Sequence, residues 1–163
     1  VLIIGIDPGS RHTGFGVIRS EGDRMKAMAH GRFSPDTSRP IALRLHDLST
    51  RLTDLVVEWK PQLVVLESPF HGINSRSLIV LAQARGALLA ALGGHTVEVR
   101  EYSPAEIKSA LTGNGRADKN QVARMVMLLL GLQGKRPSAD ATDALAVAVC
   151  GAQRYRLDRL RES

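Results

Sequence analysis

The sequence predicts an α/β domain built on a mixed central β-sheet flanked by α-helices. Three observations carry that prediction. Residues 1–33 hold three apolar or alternating runs separated by short turn signals, with no helical spacing, which reads as a meander. Beyond Ile41, helical spacing alternates with short apolar runs, the pattern of β-α-β units with parallel strands. The chain has 163 residues, 44% of them hydrophobic, and shows no repeats, low-complexity tracts or long linkers. One domain spanning 1–163 with a sizeable core is therefore expected.

Each element has a local reason. "VLIIGID" (residues 1–7) is an apolar run ended by the turn signal Asp7-Pro8-Gly9-Ser10. Residues 14–19 read as the second strand, and residues 24–33 as a third, less regular one that ends before "SPDTSRP". Ile41, Leu45, Leu48, Leu52, Leu55, Val56 and Trp59 then follow helical spacing, and Pro61 stops that helix. "LVVLE" (63–67) is a short buried strand. Residues 74–92 form the next helix, closed by Gly93-Gly94. Its apolar positions run nearly all round, so it is either a subunit interface or a helix clamped between the sheet and another helix. "TVEVREY" (96–102) is a strand, and Ser103-x-x-Glu106 with Pro104 at the first helical position is a capping box. After the loop "TGNGRA", Asp118-x-x-Gln121 opens another helix in the same way. The last helix begins near Ser138 and runs into "RYRLDRLRES", where residues 154–163 read as a basic C-terminal tail. Doubly wound nucleotide folds start strand-helix-strand, so this order excludes a dinucleotide binder.

The net charge is +6, and it is localised. Residues 108–136 carry six cations (Lys108, Arg116, Lys119, Arg124, Lys135 and Arg136) against Asp118 alone, leaving only +1 elsewhere. Such a segment suits either a polyanionic partner or a merely solvated basic face. Gln83, Arg85 and glycines interrupt the longest apolar stretches, so no membrane span is expected. The single cysteine, Cys150, cannot form an internal disulfide and fits a reducing cytosol. The five histidines show no ligand spacing.

Four acids stand out from the solvated majority. Asp7 and Glu67 end apolar strands, and Asp140 and Asp143 open the apolar segment "ALAVAV" on one helical face. Singly, each has an ordinary explanation: a turn former, the end of an edge strand, a helix cap and dipole partner. Together they can converge on one edge of the sheet, where grouped carboxylates repel unless a cation neutralises them. An all-oxygen set suits Mg²⁺ or Mn²⁺. Two such ions about 3.5–4 Å apart can activate water and stabilise the leaving oxygen in phosphodiester hydrolysis.

"GIDPGSRHTGFGVI", "LVVLESPF", "AQARG", "GNGRADKNQVARMV" and "PSADATDALAVA" occur in the order and spacing of the RuvC Holliday junction resolvases, and the chain resembles that family over about residues 2–153. The resemblance implies an RNase H-like fold and a bacterial cytoplasmic homodimer, with "AQARG" at its interface. It also implies two symmetric nicks in four-way DNA junctions, leaving 5′-phosphates, in concert with a branch-migration complex of the RuvA and RuvB type. By motif position, Asp7, Glu67, Asp140 and Asp143 carry over as the catalytic, metal-binding carboxylates, with two Mg²⁺ per site and Mn²⁺ an alternative. Asp7 would bridge, Glu67 and Asp143 would each hold one ion, and Asp140 would assist. Some relatives have a histidine at the position of Asp140. Lys108 and Lys119 match basic positions beside the scissile phosphate, where they would position it or stabilise developing charge. Phe70 matches an aromatic that stacks at the opened junction centre, worth about 1–3 kcal/mol per base. Arg76 and Arg116 match backbone contacts, and the C-terminal tail departs from the family pattern.

Two other classes compete. A phosphotransferase or ATPase could use "DPGSRHTG" as a phosphate loop, but it needs a second lobe and does not account for Glu67, Asp140 or Asp143. A junction-binding protein without catalysis would have no use for four acids beside a polyanion.

Overall fold

In a computed structural model, which describes residues 1–68, 75–134 and 136–162, the expected meander is present. Strands β1 (Leu2–Asp7), β2 (Thr13–Glu21) and β3 (Arg24–Phe33) pair antiparallel. Strands β4 (Leu63–Glu67) and β5 (Glu98–Tyr102) add in parallel on the far side of β1, giving the order β3-β2-β1-β4-β5. The sheet is mixed, as the two kinds of sequence pattern require. β5 starts two residues later than the apolar pattern suggested.

Strand alternation sends successive side chains to opposite faces. Ile4, Ile6, Val17, Val64 and Leu66 face the helices α1 (Ile41–Trp59) and α2 (Ser75–Leu92), where Leu48, Leu52, Leu88 and Leu92 complete one core. Ile3, Ile18, Leu63 and Val65 face the opposite core, formed with α3 (Pro104–Thr112), α4 (Lys119–Leu129) and α5 (Ala139–Glu162). Both predicted capping boxes are formed: Ser103 with Glu106 opens α3, and Asp118 with Gln121 opens α4. They start the two helices that carry Lys108 and Lys119.

Helix α5 lies directly on the backbone of β1 and β2, because glycines clear its path. Gly5 and Gly16 are cross-strand partners, and Gly14 pairs with Asp7. A Cβ on Gly5 would stand 2.2 Å from the Ala144 carbonyl oxygen, and one on Gly14 would stand 2.1 Å from that of Asp140. On the helix side the run Ala144–Cys150 is buried throughout. Strand glycines often mark such close approaches.

Two expectations change. α2 is not clamped on both sides: Ala84, Leu88 and Leu92 are buried, whereas Leu78 and Ile79 are 41% and 60% exposed. By length and composition α2 is also apolar enough to cross a bilayer, which the sequence reading set aside. Its inner face packs on α1, and Arg85 is ion-paired with Glu101 on β5. The C-terminal residues are likewise no tail, since α5 continues to Glu162. Asp158 accepts from Arg100 Nη1 at 2.6 Å, Arg156 pairs with Asp23 in the β2–β3 turn, and Arg100 and Arg159 lie over the Tyr155 ring. Within this basic stretch, Arg156 is thus matched to an acid and Arg159 to an aromatic face.

Candidate active site

Alternation places the strand acids. Ile4 and Ile6 point to the α1/α2 core, so Asp7, the next residue of β1, is directed to the α5 face. On β4, Val64 and Leu66 do the same and Glu67 follows. The parallel register sets Ile6 beside Leu66, so the two carboxylates leave neighbouring strands at the same end. At Gly9 a Cβ would lie 2.1 Å from the His12 carbonyl oxygen, so the turn after Asp7 closes tightly and leads the chain away. Asp140 and Asp143 reach the same place from the first turns of α5, set there by the close approach of Gly14 to the Asp140 backbone.

The acids sense one another. The Asp7 carboxyl is pushed up to about 9, first by burial, then by its hydrogen bond to Glu67 and the charges of Glu67, Asp143 and Asp140. Two cations oppose this build-up. Lys119 Nζ donates to Asp143 Oδ2 at 3.4 Å, and Arg32 Nη1 donates to Asp140 Oδ2 at 3.4 Å.

All four predicted carboxylates are therefore brought together, with Lys119 beside them. Lys108 is half-buried on α3 and makes no ion pair among the described residues. Arg116 is exposed between α3 and α4, Arg76 is exposed in the first turn of α2, and Phe70 lies outside the described residues. Sequence reasoning missed Arg32. Its signal was its place in the third strand, whose far end pairs with Gly14.

The donor set fits a hard divalent cation: every candidate atom is a carboxylate oxygen, and burial, with the neighbouring carboxylates adding to it, pushes the Asp7 carboxyl up. Among the described residues no three His, Cys, Asp or Glu side chains already stand as a finished metal cage. Arg32 and Lys119 each hold one carboxylate of the four.

A mixed sheet of this order, with acids at the ends of adjacent parallel strands and on the helix laid across them, defines a nuclease domain of the RNase H-like class. Residues 3–151 match the family model described as crossover junction endodeoxyribonuclease RuvC, and the chain belongs to the RuvC family. It is 42% identical to the RuvC of Syntrophomonas wolfei over 161 residues, covering 99% of this chain and 94% of that one. The Thermus thermophilus RuvC structure superposes with a TM-score of 0.88 at 31% identity, covering 97% of each chain. The T. thermophilus RuvC structure in complex with a Holliday junction substrate gives 0.88 at 28% identity over 96% of each chain.

Proposed function

We propose that this chain is a divalent-metal-dependent endonuclease that resolves four-way DNA junctions by paired nicks, in homologous recombination and repair. The observation that carries the reading is the meeting of Asp7 with Glu67, Asp140 and Asp143 at one sheet edge. Asp7, Glu67, Asp140 and Asp143 would hold the ions, Mg²⁺ or Mn²⁺. Bound there, two such cations would supply an activated water and a stabilised leaving oxygen.

The chain's own groups do the rest. Asp7 would give up its proton on binding a cation, so the cluster would reach its full negative charge only when that charge is matched. Lys119, 81% exposed at the mouth of the cluster, is free to turn from Asp143 to a phosphate oxygen. Lys108 would act beside Lys119 at the scissile phosphate, Arg76 and Arg116 would hold the flanking backbone, and Phe70 would stack on an unpaired base. Attack of water on phosphorus, with the P–O3′ bond breaking and the 3′-oxygen taking up a proton, would leave a 5′-phosphate and a 3′-hydroxyl, a nick that a ligase can seal.

Incubation with a synthetic four-way junction and a matched linear duplex, with and without Mg²⁺, tests the reading. Paired nicks are expected on the junction alone and only with the metal. Junction binding with no cleavage in any divalent ion overturns the nuclease, and DNA-independent ATP turnover would point to a phosphotransferase.

Paired nicks need two sites facing two strands, so the working form is a homodimer. The outer face of α2 supports this, because Leu78, Ile79, Ala82, Gly86 and Ala90 are all exposed along it. Small residues there allow two helix backbones to approach closely. Ile79→Glu is expected to elute as a monomer in size-exclusion chromatography with light scattering. Its junction products should shift from paired to single nicks. A dimer that survives this substitution would place the interface elsewhere. A cytoplasmic location and a branch-migration complex of the RuvA and RuvB type complete the proposal.

A further inference from the structure

Arg32 is placed by three fixed relations. It pairs with Gly14 in the β2–β3 register, and Gly14 in turn lies against the backbone carbonyl of Asp140. Its neighbour Phe33 is buried in the opposite core and stacks on Phe15 with ring centroids 4.9 Å apart. Alternation therefore directs Arg32 to the α5 face, where its guanidinium meets Asp140. That guanidinium is half exposed, and Asp140 is its one ion-pair partner among the described residues. It stands at the β3 side of the carboxylate cluster, whereas Lys119 reaches the cluster from α4.

A carboxylate needed by a divalent cation cannot keep a guanidinium as its main partner at no cost, because the two cations compete for the same oxygens and repel each other. The guanidinium, anchored through the pairing of Arg32 with Gly14, has then to find another anion within the reach of its side chain. In a phosphodiesterase that anion is at hand, since the DNA backbone crosses the cluster. A planar guanidinium is well suited to phosphate oxygens. We infer that Arg32 is a two-position residue: it balances Asp140 in the metal-free site and transfers to a backbone phosphate of the bound strand when metal and DNA arrive. It is a positioning residue for Asp140 and a DNA contact, and it marks the β3 side of the cluster as part of the DNA path.

This inference rests on the resolvase reading, and the experiment separates the two. Wild type, Arg32→Ala and Arg32→Lys are compared in four measurements. These are Mg²⁺ binding to DNA-free protein by calorimetry, four-way junction binding in Ca²⁺ across salt concentrations, thermal melting, and cleavage. Removing the competing cation should tighten Mg²⁺ binding by about two- to five-fold in Arg32→Ala, the scale of a part-exposed ion pair. The same variant should bind the junction more weakly, with a salt dependence shallower by about one charge. Arg32→Lys should restore the salt dependence. Tighter metal binding with unchanged junction binding would leave Arg32 a counter-ion only and overturn the transfer. Unchanged metal affinity and salt slope with a lowered melting temperature would make it structural and overturn both roles. If wild type cuts no junction with any divalent ion, the resolvase reading fails, and the calorimetry still decides whether Arg32 competes for Asp140.

Discussion

Asp7→Asn should abolish junction cleavage while raising the melting temperature of the metal-free protein. The activity loss follows from position: Asp7 is the acid that senses all three others, so an amide there removes the ligand that ties the cluster together. A loss of at least about 10²–10³-fold is expected, the scale of removing one preorganised electrostatic partner at a reacting centre. The gain in stability has a definite sign. In the unfolded chain the Asp7 carboxyl titrates near the ordinary aspartate value of 3.8, but in the fold burial and the neighbouring acids push it up to about 9. The folded state therefore binds more protons across that interval, and stability falls as pH rises through it. Asparagine is neutral throughout and escapes that fall. With EDTA present, the two proteins should melt alike near pH 4 and diverge in favour of Asp7→Asn toward pH 8. Each kcal/mol of difference would appear as about 2–4 °C. The same proton must leave before a cation binds, so wild-type affinity for Mg²⁺ should climb with pH over this range. Parallel melting curves for the two proteins from pH 4 to 8 would show that Asp7 is not held protonated by its neighbours.

Local chemistry was the most legible part of this chain. Both capping boxes, the Pro61 stop and the five strands each depend on a few adjacent residues whose physics is complete in the sequence, and each is found. The four carboxylates were also visible, but only as a set: each alone has an ordinary local role, whereas two acids ending apolar strands and two opening an apolar helix can share one sheet edge. Less visible was why they meet. β1 and β4 are apolar on both faces, so their alternation is silent, and nothing in "LIIGID" alone says which way Asp7 points. The hidden signal was the glycines: Gly5, Gly14 and Gly16 read as punctuation, but they are the floor on which α5 rests. Whether α2 is clamped or presents a face stayed open in the sequence, because an all-round apolar pattern does not say what covers each side; Leu78 and Ile79 prove exposed. The end of α5 read as a basic tail because its charges were taken along the chain, whereas Asp158 and Arg156 are paired with Arg100 and Asp23, which are distant in sequence. Arg32 was missed for the same reason: its partner lies across two strands and a helix.

That glycine floor sets the second large effect. Gly5→Ala should destabilise the whole domain, whereas Gly14→Ala should mainly damage catalysis. An alanine at Gly5 places its methyl 2.2 Å from the Ala144 carbonyl oxygen and 2.4 Å from the Ala148 amide nitrogen. Both are backbone atoms in the middle of α5, so no rotamer change relieves the clash and the helix must lift from the sheet. Ala144, Leu145 and Ala148 are fully buried there, so lifting opens the core that joins α5 to β1 and β2. Overpacking costs about 1–3 kcal/mol when side chains can yield. With rigid backbone on both sides, about 3–5 kcal/mol is expected, a large share of the roughly 5–15 kcal/mol that keeps a domain folded. At Gly14 the clash is with the carbonyl of Asp140, in the first turn of α5, where a shift of the helix end disturbs Ala141 and Thr142 but less of the buried run Ala144–Cys150 than a clash at Gly5. Its stability cost should be the smaller of the two. The movement nevertheless carries Asp140 away from Asp7, and a displacement of about 1 Å at a reacting centre can cost about 10²-fold in rate. Thermal melts and junction cleavage on the two variants decide the matter together. Equal melting losses with wild-type cleavage in Gly14→Ala would mean that the contact of helix on glycine is not what brings the α5 acids to the strand acids. A deep loss of stability at Gly5 and a selective loss of cleavage at Gly14 would tie the packing of one helix to the assembly of the site.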